Sequence, residues 1–83
     1  MSINNNKLME LISGVLDIDL ESVDDYTSPE NTESWDSFTA LVMVSDLEST
    51  FDVNFSIEEV YLFRCVKDIR DVLISHNVDF NEQ

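Results

Sequence analysis

The chain is 83 residues long and carries 18 acidic against four basic residues, a net charge of −14, with one cysteine, one glycine and one proline. A chain of this length makes one domain with a modest core, so residues 1–83 are expected to fold as a single unit, and the lone Cys65 excludes an internal disulfide. Such a charge argues against nucleic acid or an anionic membrane as a direct partner.

The first helix is predicted over Ile3 to Leu16. Leu8, Leu11, Ile12, Val15 and Leu16 fall on one face at i, i+3, i+4, i+7 and i+8, with Ser2 or one of Asn4, Asn5 and Asn6 as the cap. Gly14 weakens the end of that helix by about 1 kcal/mol relative to alanine. The stretch from Asp17 to Asp36 has no helical period and holds Pro29. Connections beyond about 12–15 residues are uncommon in compact domains unless pinned down, and Ile18, Leu20, Val23 and Tyr26 are spaced to tuck beneath it. The acidic alternation from Asp17 is not a calcium loop, because Ser22 and Ser28 stand at the sixth and twelfth positions in place of glycine and glutamate.

At Trp35-Asp36-Ser37-Phe38 the acidic stretch gives way to an apolar one, which marks the start of a second helix running from Ser37 to about Phe51. Asp36 is a good N-cap. Ser37 then lies among first-turn amides that lack partners inside the helix, where a phosphoryl group is favoured by typically ~0.3–1 kcal/mol. A serine at a helix start is also, and more commonly, nothing but part of a cap. Ala40, Met43, Val44, Leu47 and Phe51 form an inward stripe, leaving Phe38, Leu41 and Val42 near the edge or exposed, either as ordinary surface or as a docking patch.

Ser56 and Glu59 make a capping box for a short third helix, Ile57 to about Leu62, and Val66, Ile69, Val72 and Leu73 give the last helical face. Asn77 suits its C-terminal cap, His76 reads as a cation favoured by the helix dipole, and the tail beyond Val78 is expected to fray. The chain offers no nucleophile beside a base, no metal-ligand spacing and no glycine-rich phosphate cradle, so no enzymatic activity and no metal site are expected.

Asp36-Ser37-Phe38 followed by Leu41, Met43, Val44, Leu47 and Phe51 resembles the Asp-Ser-Leu signature and second helix of the acyl carrier proteins. The likeness extends over nearly the whole chain through the first helix, the long acidic loop, the short third helix and the closing Val-x-Asp-Ile run. It implies an all-α four-helix bundle of acyl-carrier type, with three longer helices, one short third helix and a long first loop. It also implies 4'-phosphopantetheine on Ser37, donated by coenzyme A through a phosphopantetheinyl transferase, with Asp36 beside it. Phe38, Leu41, Val42, Asp46 and Glu48 become the elements that dock acyl-loading and acyl-transferring enzymes bearing basic surfaces. Met43, Leu47, Phe55, Phe63, Val66 and Ile69 become candidates for an acyl cleft, although such residues are more often plain core.

Two departures point away from housekeeping fatty-acid synthesis. Pro29-Glu30-Asn31-Thr32-Glu33-Ser34-Trp35 replaces the family's usual Asp-Leu-Gly run, and Thr39, Val42 and Ser49 stand where acids are common. A monomeric, free-standing carrier of a specialised polyketide, peptide or glycan-modifying pathway resembles this pattern better. The reading from another class is an acidic helical adaptor that docks a protein groove through its second helix, with Ser37 only a cap. Neither a signal peptide nor a membrane span is legible, so a soluble cytoplasmic location is expected.

The acids are unevenly placed: through Phe63 the only base is Lys7 against fourteen acids, whereas Arg64, Lys67 and Arg70 stand among four acids in the remainder. Self-repulsion at this charge loosens the fold when counterions are scarce. The melting temperature is expected to rise between low and physiological ionic strength, and a salt-independent melt would refute this.

Overall fold

The computed structural model describes residues 3–80. The chain forms α1 (Ile3–Leu16), α2 (Ser37–Phe51), α3 (Ile57–Tyr61) and α4 (Val66–Ser75), with a 3₁₀ turn at Leu20–Ser22 inside the first connection and no strand among the described residues. The all-α bundle of three longer helices and one short third helix is therefore as expected. Among the described residues no helix is long and apolar enough to cross a membrane.

The core follows from helical spacing. Leu8, Ile12 and Leu16 of α1, four residues apart, meet Met43 and Leu47 of α2 and Val66, Ile69 and Leu73 of α4, and all eight are fully buried. Leu11 and Val15 flank the α1 stripe and are half-buried. Val23 and Trp35 seal this core from the loop side.

With its one glycine at an exposed mid-helix position, the chain ends its longer helices by another device. Asp17, Asp52 and Asn77 adopt positive φ (55°, 53° and 70°), a conformation that short polar side chains tolerate. After each, the next amide reaches back to a carbonyl of the last turn: Ile18 N–H to Ser13, Val53 N–H to Glu48 and Val78 N–H to Leu73, each at 3.1 Å. At α4 the cap is His76, and Asn77, the predicted cap, takes the left-handed turn one position beyond it.

Helix starts are satisfied in three ways. Asp36 caps α2; Ser56 and Glu59 form the reciprocal box at α3. At α4, Cys65 makes no side-chain cap bond. The first loop supplies the partners instead: the Val66 N–H donates to the Thr27 carbonyl and the Lys67 N–H to the Asp25 carbonyl, both at 3.0 Å. Arg70 reinforces the join, its Nη1 donating to Asp25 Oδ1 at 2.7 Å and its Nε to Asn5 Oδ1 of α1 at 3.0 Å. Asn31 closes the loop on itself, accepting from the Ser28 N–H and donating to the Tyr26 carbonyl.

Several expectations need correction. Val23 is buried and Ile18 half-buried, but Leu20 and Tyr26 point outward; Thr27 and Trp35 fill the inner side of the loop instead. Thr27 is tolerated there because its Oγ1 accepts the Asp24 N–H at 2.9 Å. Asn4, Asn5 and Asn6 lie within α1 and do not cap it, while Ser2 is outside the described residues. α3 stops at Tyr61, one residue short of the predicted end, which is within the spread of any helix boundary. The tail does not fray at Val78. The turn at Asn77 sends Val78 and Phe80 back onto the core, Phe80 lies 6.3 Å from the Phe51 ring, and Asn4 Nδ2 donates to the Asp79 carbonyl. Of the tail, only residues 81–83 are outside the described residues.

A Cβ built at Gly14 meets nothing within 4 Å, and the residue is exposed in a regular helix. Gly14→Ala should therefore stabilise the fold by about 0.4–1 kcal/mol, by restricting the unfolded chain and improving helix propensity. A denaturant midpoint that falls would show that α1 is not regular at this position.

Candidate functional site

Asp36 places the site. Its backbone is extended, its carbonyl accepts the first helical bond from the Ala40 N–H at 2.9 Å, and its Oδ1 accepts the Thr39 N–H at 2.8 Å. The Thr39 amide foremost, and then the Thr39 hydroxyl, hold the Asp36 carboxyl below the usual aspartate value. Asp36 therefore already uses one of the first-turn donors that the sequence leaves open to a phosphate.

Ser37 is the first residue of α2, is exposed, and its hydroxyl has no partner among the described residues. The residue is thus a free alcohol at a fixed point, carried on a helix start that Asp36 and the buried Trp35 hold in place. No group of three or more His, Cys, Asp or Glu among the described residues is placed to hold a metal ion.

The family described as phosphopantetheine attachment site matches residues 6–73, a span that contains α2, α3, the loop, and most of α1 and α4. The chain belongs to that family. Its members are carriers with covalently attached 4'-phosphopantetheine, and Ser37 lies inside the matched span. No curated protein matches the sequence.

The structure distributes the other expected site residues unequally. Phe38, Leu41 and Val42 are exposed on α2 beside Ser37, at 74%, 69% and 38%, and Asp46 is exposed on the same helix. Glu48 is half-buried and faces elsewhere: its Oε2 accepts the Phe55 N–H at 2.8 Å, fixing the approach to α3. Met43, Leu47, Val66 and Ile69 belong to the fully buried core. Phe55 and Phe63 are half-buried, their rings edge to face at 5.1 Å. Of the expected cleft residues, Phe63 lines a concavity that reaches Ser37.

Sequence reasoning missed the outer face of α3. Ile57, Tyr61 and Leu62 are exposed at 72%, 78% and 52%, and no residue of this five-residue helix is buried. The signal was present in its length, since a helix of little more than one turn cannot bury every apolar residue it carries.

The predicted box holds the start of α3, but the contact from α4 was missed. Glu59 Oε1 accepts the Ser56 N–H at 2.9 Å, while Oε2 lies 2.8 Å from His76 Nε2 at the end of α4. The His76 ring stands edge-on to Phe55. The reading of His76 as a cation favoured by the helix dipole did not include a partner, and the structure sets the ring against the Glu59 carboxylate across the bundle.

The Ser56 amide lowers the Glu59 carboxyl most; burial opposes this, and the bond and charge of His76 add to the lowering. Because the folded-state value lies below the unfolded one, the charged Glu59 favours the fold above the ordinary glutamate range, and this is lost as pH falls through the lowered value. Glu59→Gln keeps the box but removes the charge. Wild type is therefore expected to be the more stable at neutral pH, with the difference shrinking in acid below the glutamate range. A difference constant into strong acid would refute the role of the charge.

Proposed function

We propose that the chain is one carrier domain whose phosphopantetheine is esterified to the hydroxyl of Ser37. The observation that carries this reading is the exposed, unpartnered Ser37 hydroxyl at the first position of α2, inside the span matched to the attachment-site family. A separate transferase supplies magnesium and base, joins the Ser37 oxygen to phosphorus and breaks the diphosphate of coenzyme A. The chain is the substrate in that step and has no catalytic part in later ones.

The arm's thiol then holds acyl groups as thioesters, and the tether raises their concentration at each docked enzyme. Phe38, Leu41, Val42 and Asp46 beside Ser37 form the docking face, extended by the exposed Ile57, Tyr61 and Leu62 of α3. Partners with an apolar contact surface rimmed by basic side chains suit it, given the charge of −14. The small number of acids on α2 and the Trp35 ahead of Ser37 support a specialised pathway over housekeeping fatty-acid synthesis. Met43, Leu47, Val66 and Ile69 are filled core in this structure, so sheltering an acyl chain among them would require the core to open. A cytoplasmic, monomeric protein fits a carrier that serves several enzymes in turn.

Intact mass after incubation with coenzyme A and a promiscuous phosphopantetheinyl transferase tests the reading. Wild type and Cys65→Ser should each gain one arm, and Ser37→Ala none. The Ser37→Ala fold should survive with a cost of no more than about 1 kcal/mol, because Asp36 still caps α2. An arm on folded Ser37→Ala would move the site elsewhere; no arm on any of the three would favour the adaptor reading.

A further inference from the structure

Ser37 borders a concavity. A depression of about 290 Å³ lies beside it, bounded by Pro29 and Trp35 of the loop, by Asp36, Ser37 and Ala40 at the start of α2, and by Phe63 just after α3. Pro29, Trp35, Ala40 and Phe63 are the apolar residues of its lining. Its one charged group, Asp36, is already engaged with the Thr39 N–H.

We infer that this depression receives the proximal, branched end of the phosphopantetheine arm. The inference rests on the carrier reading given above. The phosphate stays in water at Ser37, and the quaternary carbon with its two methyl groups, which follows the phosphate in the arm, turns onto Trp35, Pro29 and Phe63. The occupant is specified by attachment: the oxygen that bears the arm belongs to a wall of the depression, so the dimethyl group is held there at high effective concentration.

Size and chemistry limit what enters. Sites that engulf a small molecule run to roughly 300–1,000 Å³, and this one is at the bottom of that range and open to solvent. It accommodates the branched head of the arm and leaves the amides and thiol outside. The methyl groups gain by leaving water, whereas the amides would lose hydrogen bonds there. The Trp35 wall is also set in advance. Trp35 is 4% exposed, and Phe63 is braced edge to face on Phe55. Little ordering is then required on contact.

The position has a consequence for docking. Ala40 is two residues from both Phe38 and Val42, a turn of about 200° on an ideal helix, while Leu41 is only about 100° away, so Phe38 and Val42 face away from the Ala40 wall and Leu41 stands between. An arm resting against Ala40 leaves Phe38 and Val42 uncovered for a partner.

Nuclear magnetic resonance of the loaded protein, carrying an arm labelled with carbon-13 at the two methyl groups, tests this after intact mass has established loading. The expected result is nuclear Overhauser contacts from the methyl protons to the Trp35 indole and the Phe63 ring, with methyl resonances displaced by those rings from their positions in free coenzyme A. One arm by mass, with methyl resonances at the free coenzyme A positions and no such contacts, overturns the subsite and leaves the carrier reading standing. Absence of the arm overturns the carrier reading, and the subsite with it. Ala40→Leu fills the depression with a good helix former, and in whatever fraction carries the arm by mass the methyl resonances should return toward those of free coenzyme A. Unchanged resonances in a folded, loaded Ala40→Leu protein would also overturn the subsite; if that variant does not fold, the wild-type contacts decide alone.

Discussion

Two backbone hydrogen bonds, from the Val66 and Lys67 amides to the carbonyls of Thr27 and Asp25, join the first loop to the start of α4, and the site depends on that join. A helix start has donors that must be satisfied, and Cys65 contributes no side-chain acceptor to satisfy them. The loop supplies the acceptors and is itself fixed by supplying them. Arg70 extends the attachment to Asp25 and to Asn5 of α1, so loop, α1 and α4 share one polar cluster. From that anchor the chain runs through Asn31 and the buried Trp35 to Asp36, and the position of Ser37 follows.

The same economy explains α3. It buries no residue of its own, so packing alone cannot hold it. It is tied at its start by the Ser56–Glu59 box, before it by Glu48 on the Phe55 amide, and across the bundle by His76 on Glu59. Polar contacts of this kind contribute on the order of 1 kcal/mol each, far less than a buried leucine, so α3 is among the least firmly held parts of the bundle. That suits an element whose outer face is offered to partners and whose end carries Phe63 to the edge of the site.

Where one face of a helix is buried, the sequence was a good guide. The stripes Leu8-Ile12-Leu16 and Met43-Leu47 and the cap at Asp36 could be read directly, because helical period and capping are local rules. The loop was harder. Tyr26 looks like a residue to bury and Thr27 one to expose, yet backbone bonding at Thr27 reverses them, and nothing in local sequence announces that α4 will draw on a carbonyl thirty-nine residues upstream. The likeness around Ser37 indicated the site, but which apolar neighbours would be core and which would border the serine depended on packing. Phe63 and Val66 are three positions apart, and one borders Ser37 while the other is sealed inside.

Asp17 and Asp52, the positive-φ residues that end α1 and α2, also place negative charge where the helix dipole is already negative. Glycine at either position would have been free of both the steric and the electrostatic penalty. Each dipole thus meets a carboxylate at its negative end, a cost set against the bonds that Ile18 and Val53 make to the last turns. The charge of the chain is in this way written into its helix ends as well as its surface.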